Sequence, residues 1–189
     1  MKKILIALSI LVASATVMAQ DNVVQLGYKY QDTNKNSGSD AQGYNFLLGT
    51  NLNKNFGADV ASESFFTNGN GSNFTRLESG LTGKTEVLPK LTAFTRVAVG
   101  QKWIPGSNFA YYSVEPGVKY GLTDSLTLKA SFRFRNSFDS ADKDLSRTET
   151  IGAEYSLNKS QYVGVGFAHI TGDGLQNGNQ FLANYGVRF

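Results

Sequence analysis

From Asn22 to Phe189, apolar and polar side chains alternate in runs of about ten residues, broken by clusters of Asn, Gly, Asp, Ser and Lys. The runs are NVVQLGYKYQD, QGYNFLLGTNL, FGADVASESFFT, FTRLESGLTGKTEVL, LTAFTRVAVGQKWI, FAYYSVEPGVKYGL, LTLKASFRFRNSFD, RTETIGAEYSL, QYVGVGFAHITGD and QFLANYGVRF. A period of two is that of a half-buried strand, and no sustained spacing of three and four residues, as a helix would need, interrupts it. A tilted strand crosses a bilayer in about 9–11 residues, so the spacing predicts ten membrane-crossing strands, with an even count that returns both ends to one side.

Short connections centred on Lys54, Pro89, Asp124 and Lys159 recur every 35 residues. A helical solenoid repeat has such a period, but the glycines and the β-branched alternation favour a meander of hairpins. The remaining connections, TNKNSGSDA, NGNGSN, PGSN, SADKDLS and GLQNGN, are polar and longer. Tight turns at one rim and longer loops at the other are the asymmetry of a transmembrane barrel. Parity supports the hairpins, because residues opposite each other about a turn share a face. Apolar positions are even on both sides of Lys54 and Asp124, odd on both sides of Lys159, and odd with some breaks about Pro89.

Composition narrows the compartment. Lys2 and Lys3 precede the apolar stretch ILIALSILVA, and Val17-Met18-Ala19 supplies small residues for signal-peptide cleavage, so residues 1–19 are expected to be removed on export and residues 20–189 to form one barrel domain. The stretch is short for a spanning helix. Of 18 basic residues two lie in that segment, leaving 16 against 15 acids in the mature chain, too small an excess for a nucleic-acid partner. There is no cysteine, and Gly (20 residues) far outnumbers Pro (3 residues), which favours strands and turns.

Backbone polar groups in lipid must be paired, which only a closed sheet achieves among β structures. The expected fold class is therefore all-β, a transmembrane antiparallel up-and-down β-barrel of about ten strands. Its lipid face would carry Val24, Leu26, Tyr28, Tyr30, Tyr44, Phe46, Leu48, Phe56, Val60, Phe66, Val97, Val99, Trp103, Phe132, Phe134, Val165, Phe167 and Tyr185. The lumen would take nearly all the strand charges: Lys29, Asp59, Glu63, Arg76, Glu78, Lys84, Glu86, Arg96, Lys102, Glu115, Lys119, Lys129, Arg133, Arg135, Glu154 and Arg188. A polar interior explains a mean hydropathy of -0.24 without making the chain soluble.

With its alternation and its closing YGVRF, the chain resembles the small Gram-negative outer-membrane β-barrels, whose members commonly end on Phe with aromatic or aliphatic residues at alternate preceding positions. That resemblance implies an outer-membrane location among lipid and lipopolysaccharide. It also implies that Tyr185, Val187 and Phe189 form a signal read by the barrel-assembly machinery. LKASFRFRN, with basic residues on one wall, is similar to the narrow channels for acidic oligosaccharides, although those usually have more strands.

The lumen charges are unevenly placed. Arg96, Lys102, Lys119, Lys129, Arg133 and Arg135 gather on the fifth to seventh runs against Glu115, while Asp59, Glu63, Glu78 and Glu86 stand on the third and fourth beside Arg76 and Lys84. As a channel, facing basic and acidic walls would set up a transverse field, with Arg96, Arg133 and Arg135 biasing it towards small anionic solutes. As a plug, the same residues would form salt bridges, and Arg133 and Glu115 are expected as direct cross-strand partners. Ten strands lie nearer the filled eight-strand barrel than the open sixteen-strand porin, and the inward Gly164, Gly166 and Ala168 leave some room. A non-enzymatic barrel, porin-like or closed, follows, with no cofactor or metal. AHITGDG invites comparison with outer-membrane lipid A deacylases, but Thr171 stands in place of their Ser and no Glu follows His169. Omptin-like proteases share the strand count, but their long outer loops and paired acids are missing; the only other enzyme hint is paired carboxylates such as Glu78 and Glu86, which are more simply salt-bridge partners. Adhesins need more loop than nine residues provides.

Overall fold

The computed structural model describes residues 22–33, 40–67, 73–142, 144–172 and 177–189. They form β1 (Asn22–Thr33), β2 (Ala41–Asn51), β3 (Phe56–Thr67), β4 (Phe74–Leu88), β5 (Leu91–Ile104), β6 (Ser107–Gly121), β7 (Leu126–Ser137), β8 (Ser146–Ser156), β9 (Gln161–Gly172) and β10 (Gly178–Arg188). Each strand pairs antiparallel with the next, and β10 pairs with β1, closing an up-and-down barrel of ten strands. The expected signal segment and parts of three longer connections, at 34–39, 68–72 and 173–176, lie outside the described residues.

All four hairpin centres stand where the alternation put them: Ala41 pairs with Thr67 about Lys54, Thr75 with Trp103 about Pro89, Tyr111 with Ser137 about Asp124, and Ser146 with Gly172 about Lys159. Three of these turns share a bonding scheme. In each, a leucine N–H donates to a carbonyl four residues on at 2.9 Å (Leu52 to Phe56, Leu122 to Leu126, Leu157 to Gln161). The next side chain, Asn53, Thr123 or Asn158, accepts two backbone N–H groups of the turn, the local bonding that suits Asn and Thr to turns. The fourth uses Pro89-Lys90, with Lys90 at φ 67°. PGSN, expected as one of the longer loops, is a two-residue turn: Ile104 pairs with Ser107 across Pro105-Gly106, with Gly106 at φ 80°. Proline's fixed φ followed by a glycine in the left-handed region closes the chain at once, which draws Ser107 and Asn108 into β6.

β1 and β10 seal the barrel along their length, Leu26 opposite Tyr185 and Val24 opposite Val187. The backbones of Asn22 and Phe189 exchange two hydrogen bonds, so both strand ends sit at the short-turn rim. The outer surface is a belt of exposed apolar side chains, among them Leu26, Tyr44, Phe46, Val97, Phe132, Ile151, Val165 and Phe181. Water would penalise such a surface and a bilayer's acyl chains would not. Val165, 64% exposed in the middle of β9, makes the belt testable. Val165→Arg is expected to destabilise the barrel in vesicles by about 2–4 kcal/mol, and Thr171→Arg at the loop rim by about 0–1 kcal/mol. Equal costs in urea titrations would argue against burial of this face in lipid.

Candidate functional site

Apart from Glu86, the charged positions that alternation assigned to the lumen line it or are buried within it, and glycines on neighbouring strands make room for the largest of them. A Cβ at Gly100 would come within 2.5 Å of the Tyr111 ring, and one at Gly80 within 2.6 Å of the Arg96 side chain. Each bulky group therefore lies flat across the adjacent strand instead of standing in the lumen. Tyr111 is completely buried there.

Arginines and carboxylates join across the middle of the barrel. Glu78 on β4 accepts from Arg96 of β5 at 2.8 Å, Arg133 of β7 at 2.5 Å and the Tyr111 hydroxyl of β6 at 2.9 Å. Arg96 also grips Asp59 of β3 with two N–H groups, at 2.9 and 2.5 Å. Glu63 of β3 takes the Lys29 ammonium of β1 at 2.9 Å and pairs with Arg76 of β4. Charge-assisted, forked pairs of this kind are the strongest and most directional hydrogen bonds a lumen can hold. They link β1 and β3 through β7.

A second layer lies toward the loop rim. Asp144, just ahead of β8 and fully buried, accepts from Lys102 at 2.7 Å and from Arg135 at 2.9 and 3.2 Å. Aromatic faces complete the cage: the Lys102 ammonium lies 5.0 Å from the centre of the Phe74 ring and 5.4 Å from that of Phe109, and the Arg135 guanidinium 5.5 Å from Tyr111. Phe65, stacked on Phe74 at 5.0 Å, is also fully buried. On the turn side of the Glu78 layer the lumen is looser. Lys129 meets Glu115 at 3.1 Å and Lys119 meets Glu154 at 3.7 Å. A cavity of about 860 Å³ runs from residues of the turn rim, such as Asn51 and Arg188, to Glu78, Tyr111 and Arg133. Phe65, Lys102, Arg135 and Asp144 are not part of its wall, so it is a vestibule that ends beneath the packed layers.

Several expectations change. The basic and acidic walls exist, but they are bonded to each other across the lumen instead of facing over a free path. Glu115 and Arg133 stay opposite in register, between the pairs Val114–Phe134 and Gly117–Ser131, but form no salt bridge with each other; the β6–β7 ladder is interrupted there, where Pro116 has no N–H to donate. Arg133 reaches Glu78 and Glu115 turns to Lys129. Glu86 is exposed at the turn rim, accepting the Lys90 N–H at 3.3 Å, and does not approach Glu78. The room expected over Gly164 is filled by Asn184 of β10. Asp144 was hidden in a polar connection. Its signal was its parity, which continues the inward face of β8 beside two inward cations.

His169 is exposed on the outer face near the loop rim, with Nδ1 2.8 Å from Asn179 Oδ1. Register places Glu149 beside it, although no Glu follows it in the chain. Among the described residues Glu149 makes no ion pair with it, and no group of potential metal ligands occurs. Of the terminal residues, Tyr185 and Phe189 are exposed, and Val187 lies half-buried on the same outer face.

No family model matches the chain, and no curated protein matches it in sequence. Among solved structures, the KdgM porin is similar over 88% of this chain and 99% of its own, with a TM-score of 0.50 at 10% identity. The NanC porin is similar over 89% and 98%, with a TM-score of 0.45 at 12% identity. Ail, the attachment invasion locus protein of Yersinia pestis, is similar over 91% and 100%, with a TM-score of 0.44 at 9% identity. At these identities the likeness is one of fold, that of the small outer-membrane β-barrels.

Proposed function

We propose that this chain is a non-enzymatic barrel of the Gram-negative outer membrane, porin-like in architecture, whose lumen is held shut by an ionic plug. The observation that carries the reading is Glu78, bonded at once to side chains from three further strands. A water path through the barrel would have to part these pairs, and parting one leaves a buried charge without its partner. Small anions are the expected solutes of any open state. Lipid and lipopolysaccharide are the surroundings, with the barrel-assembly machinery as the partner that reads Tyr185, Val187 and Phe189.

Planar-bilayer recording of the purified protein tests the plug. Wild-type barrels are expected to insert, as shown by heat-modifiable migration on SDS gels, and to pass no steady current at neutral pH. A steady conductance from every inserted barrel would show the lumen to be open and replace this reading with that of a constitutive channel.

A further inference from the structure

The vestibule mouth holds more cations than carboxylates. Lys84 on β4, Lys119 on β6, Lys129 on β7 and Arg188 on β10 line the cavity, and the acids at that level are Glu115 and Glu154. Glu115 is taken by Lys129, and Glu154 meets Lys119 at 3.7 Å, beyond hydrogen-bond range. Lys84 reaches an amide, donating to Asn51 Oδ1 at 2.6 Å. Arg188 lies over the Tyr162 ring at 4.4 Å. Among the described residues neither Lys84 nor Arg188 forms a salt bridge. Lys119 and Lys129 are also direct cross-strand partners, an arrangement that costs stability, and Lys119 feels the charges of Lys84 and Arg188 as well. In the deeper layers Lys29, Arg76, Arg96, Lys102, Arg133 and Arg135 each bond a carboxylate; this layer leaves Lys84 and Arg188 without one among the described residues and keeps a repulsion between Lys119 and Lys129.

We infer that the cluster is a binding site for a small multivalent oxyanion of the phosphate class, entering from the turn rim. Four cations against two acids leave two positive charges, which a dianion neutralises. The ammonium groups supply rotatable donors. Arg188, braced on Tyr162, whose hydroxyl donates to Gln25 at 2.9 Å, supplies a planar fork suited to two oxygens of one ligand. Low-dielectric barrel walls concentrate the field at the mouth. The ligand comes from solution, because a lipid phosphate could reach the lumen only by drawing its acyl chains through a hydrogen-bonded wall. The site lies on the turn side of the plug, so this inference goes beyond the closed-barrel reading and stands whether or not the barrel conducts.

The test is calorimetric titration of inorganic phosphate into the full barrel in a detergent without phosphate, with chloride as reference at matched ionic strength. Urea midpoints with and without phosphate give a second readout. Saturable phosphate binding is expected for the wild type, together with a rise in its midpoint. The variant Lys84→Gln/Lys119→Gln/Arg188→Gln should bind at least about tenfold more weakly and lose the phosphate-dependent rise. Lys54→Gln/Lys159→Gln, in exposed turns at the same rim, should bind as the wild type does. If the triple variant does not fold, Lys119→Gln alone decides. A pure binding cation predicts a higher midpoint without phosphate, since a like-charge pair is relieved, and a smaller response to phosphate. A lower midpoint with an unchanged response would mark Lys119 as structural and overturn the site. So would phosphate heats no larger than those of chloride, or equal binding by the triple variant.

Discussion

Glu78→Gln is expected to cost about 3–5 kcal/mol of barrel stability, the loss typical when one member of a buried ion cluster is neutralised. The amide keeps the shape, but the guanidiniums of Arg96 and Arg133 lose the carboxylate they share. Arg96 retains Asp59, whereas Arg133 is left with Ser113 Oγ at 3.4 Å, a poor substitute. The loss should therefore sit mainly on Arg133. A double-mutant cycle isolates it: Glu78→Gln/Arg133→Met should cost less than the two single changes added together, by about 0.5–3 kcal/mol, because the double variant buries no stranded charge. Trp103 is the single tryptophan and faces outward near the loop end of β5, so its fluorescence during urea unfolding in vesicles reports barrel opening directly. A cost for Glu78→Gln below about 1 kcal/mol, the range of solvated surface pairs, would mean that water already reaches the layer and that it is no plug.

The parts of this structure that were legible in the sequence are those that a period of two determines. A one-residue slip would turn every lumen charge into lipid, so the faces and the four hairpin centres at Lys54, Pro89, Asp124 and Lys159 follow from parity alone. Partner choice inside the lumen does not. Arginine and lysine side chains span more than one strand spacing, so whether Arg133 takes Glu115 or Glu78 depends on barrel curvature and shear, which register between adjacent strands leaves open. The shared turn scheme of Leu52-Asn53, Leu122-Thr123 and Leu157-Asn158 is hidden for another reason: the repeat lies in hydrogen-bond acceptors at fixed offsets, and the strands between the turns share no residues. Asp144 was obscured by its composition. It lies among the Ser, Asp and Lys residues of a surface-like connection, and only its parity with the inward face of β8, together with the need of Lys102 and Arg135 for a counter-charge, identifies it as interior.

That need gives the second large effect. Asp144→Asn, added to Glu78→Gln so that both closed layers are loosened, should turn a silent barrel into a leaky one with a preference for anions. The substitution preserves shape and a hydrogen-bond acceptor, so the strands around it can still pair, but Lys102 and Arg135 become neighbouring buried cations without the carboxylate that both of them grip. Aromatic faces at 5.0–5.5 Å stabilise such charges only in part, at about 2 kcal/mol or more each when desolvated. Hydration and separation of the two cations is then the cheaper state, and the seal above the vestibule admits water and the anions that follow positive charge. Reversal potentials under a potassium chloride gradient should move towards the chloride value. Filling the same space with apolar chains, as in Lys102→Met/Arg135→Met/Asp144→Leu on the same Glu78→Gln background, should restore silence, because a buried ion group can be replaced by well-packed hydrophobic side chains with little loss. If Glu78→Gln/Asp144→Asn inserts normally, judged by heat-modifiable migration, and still passes no current, then the Asp144 layer is not what closes the loop end of the lumen.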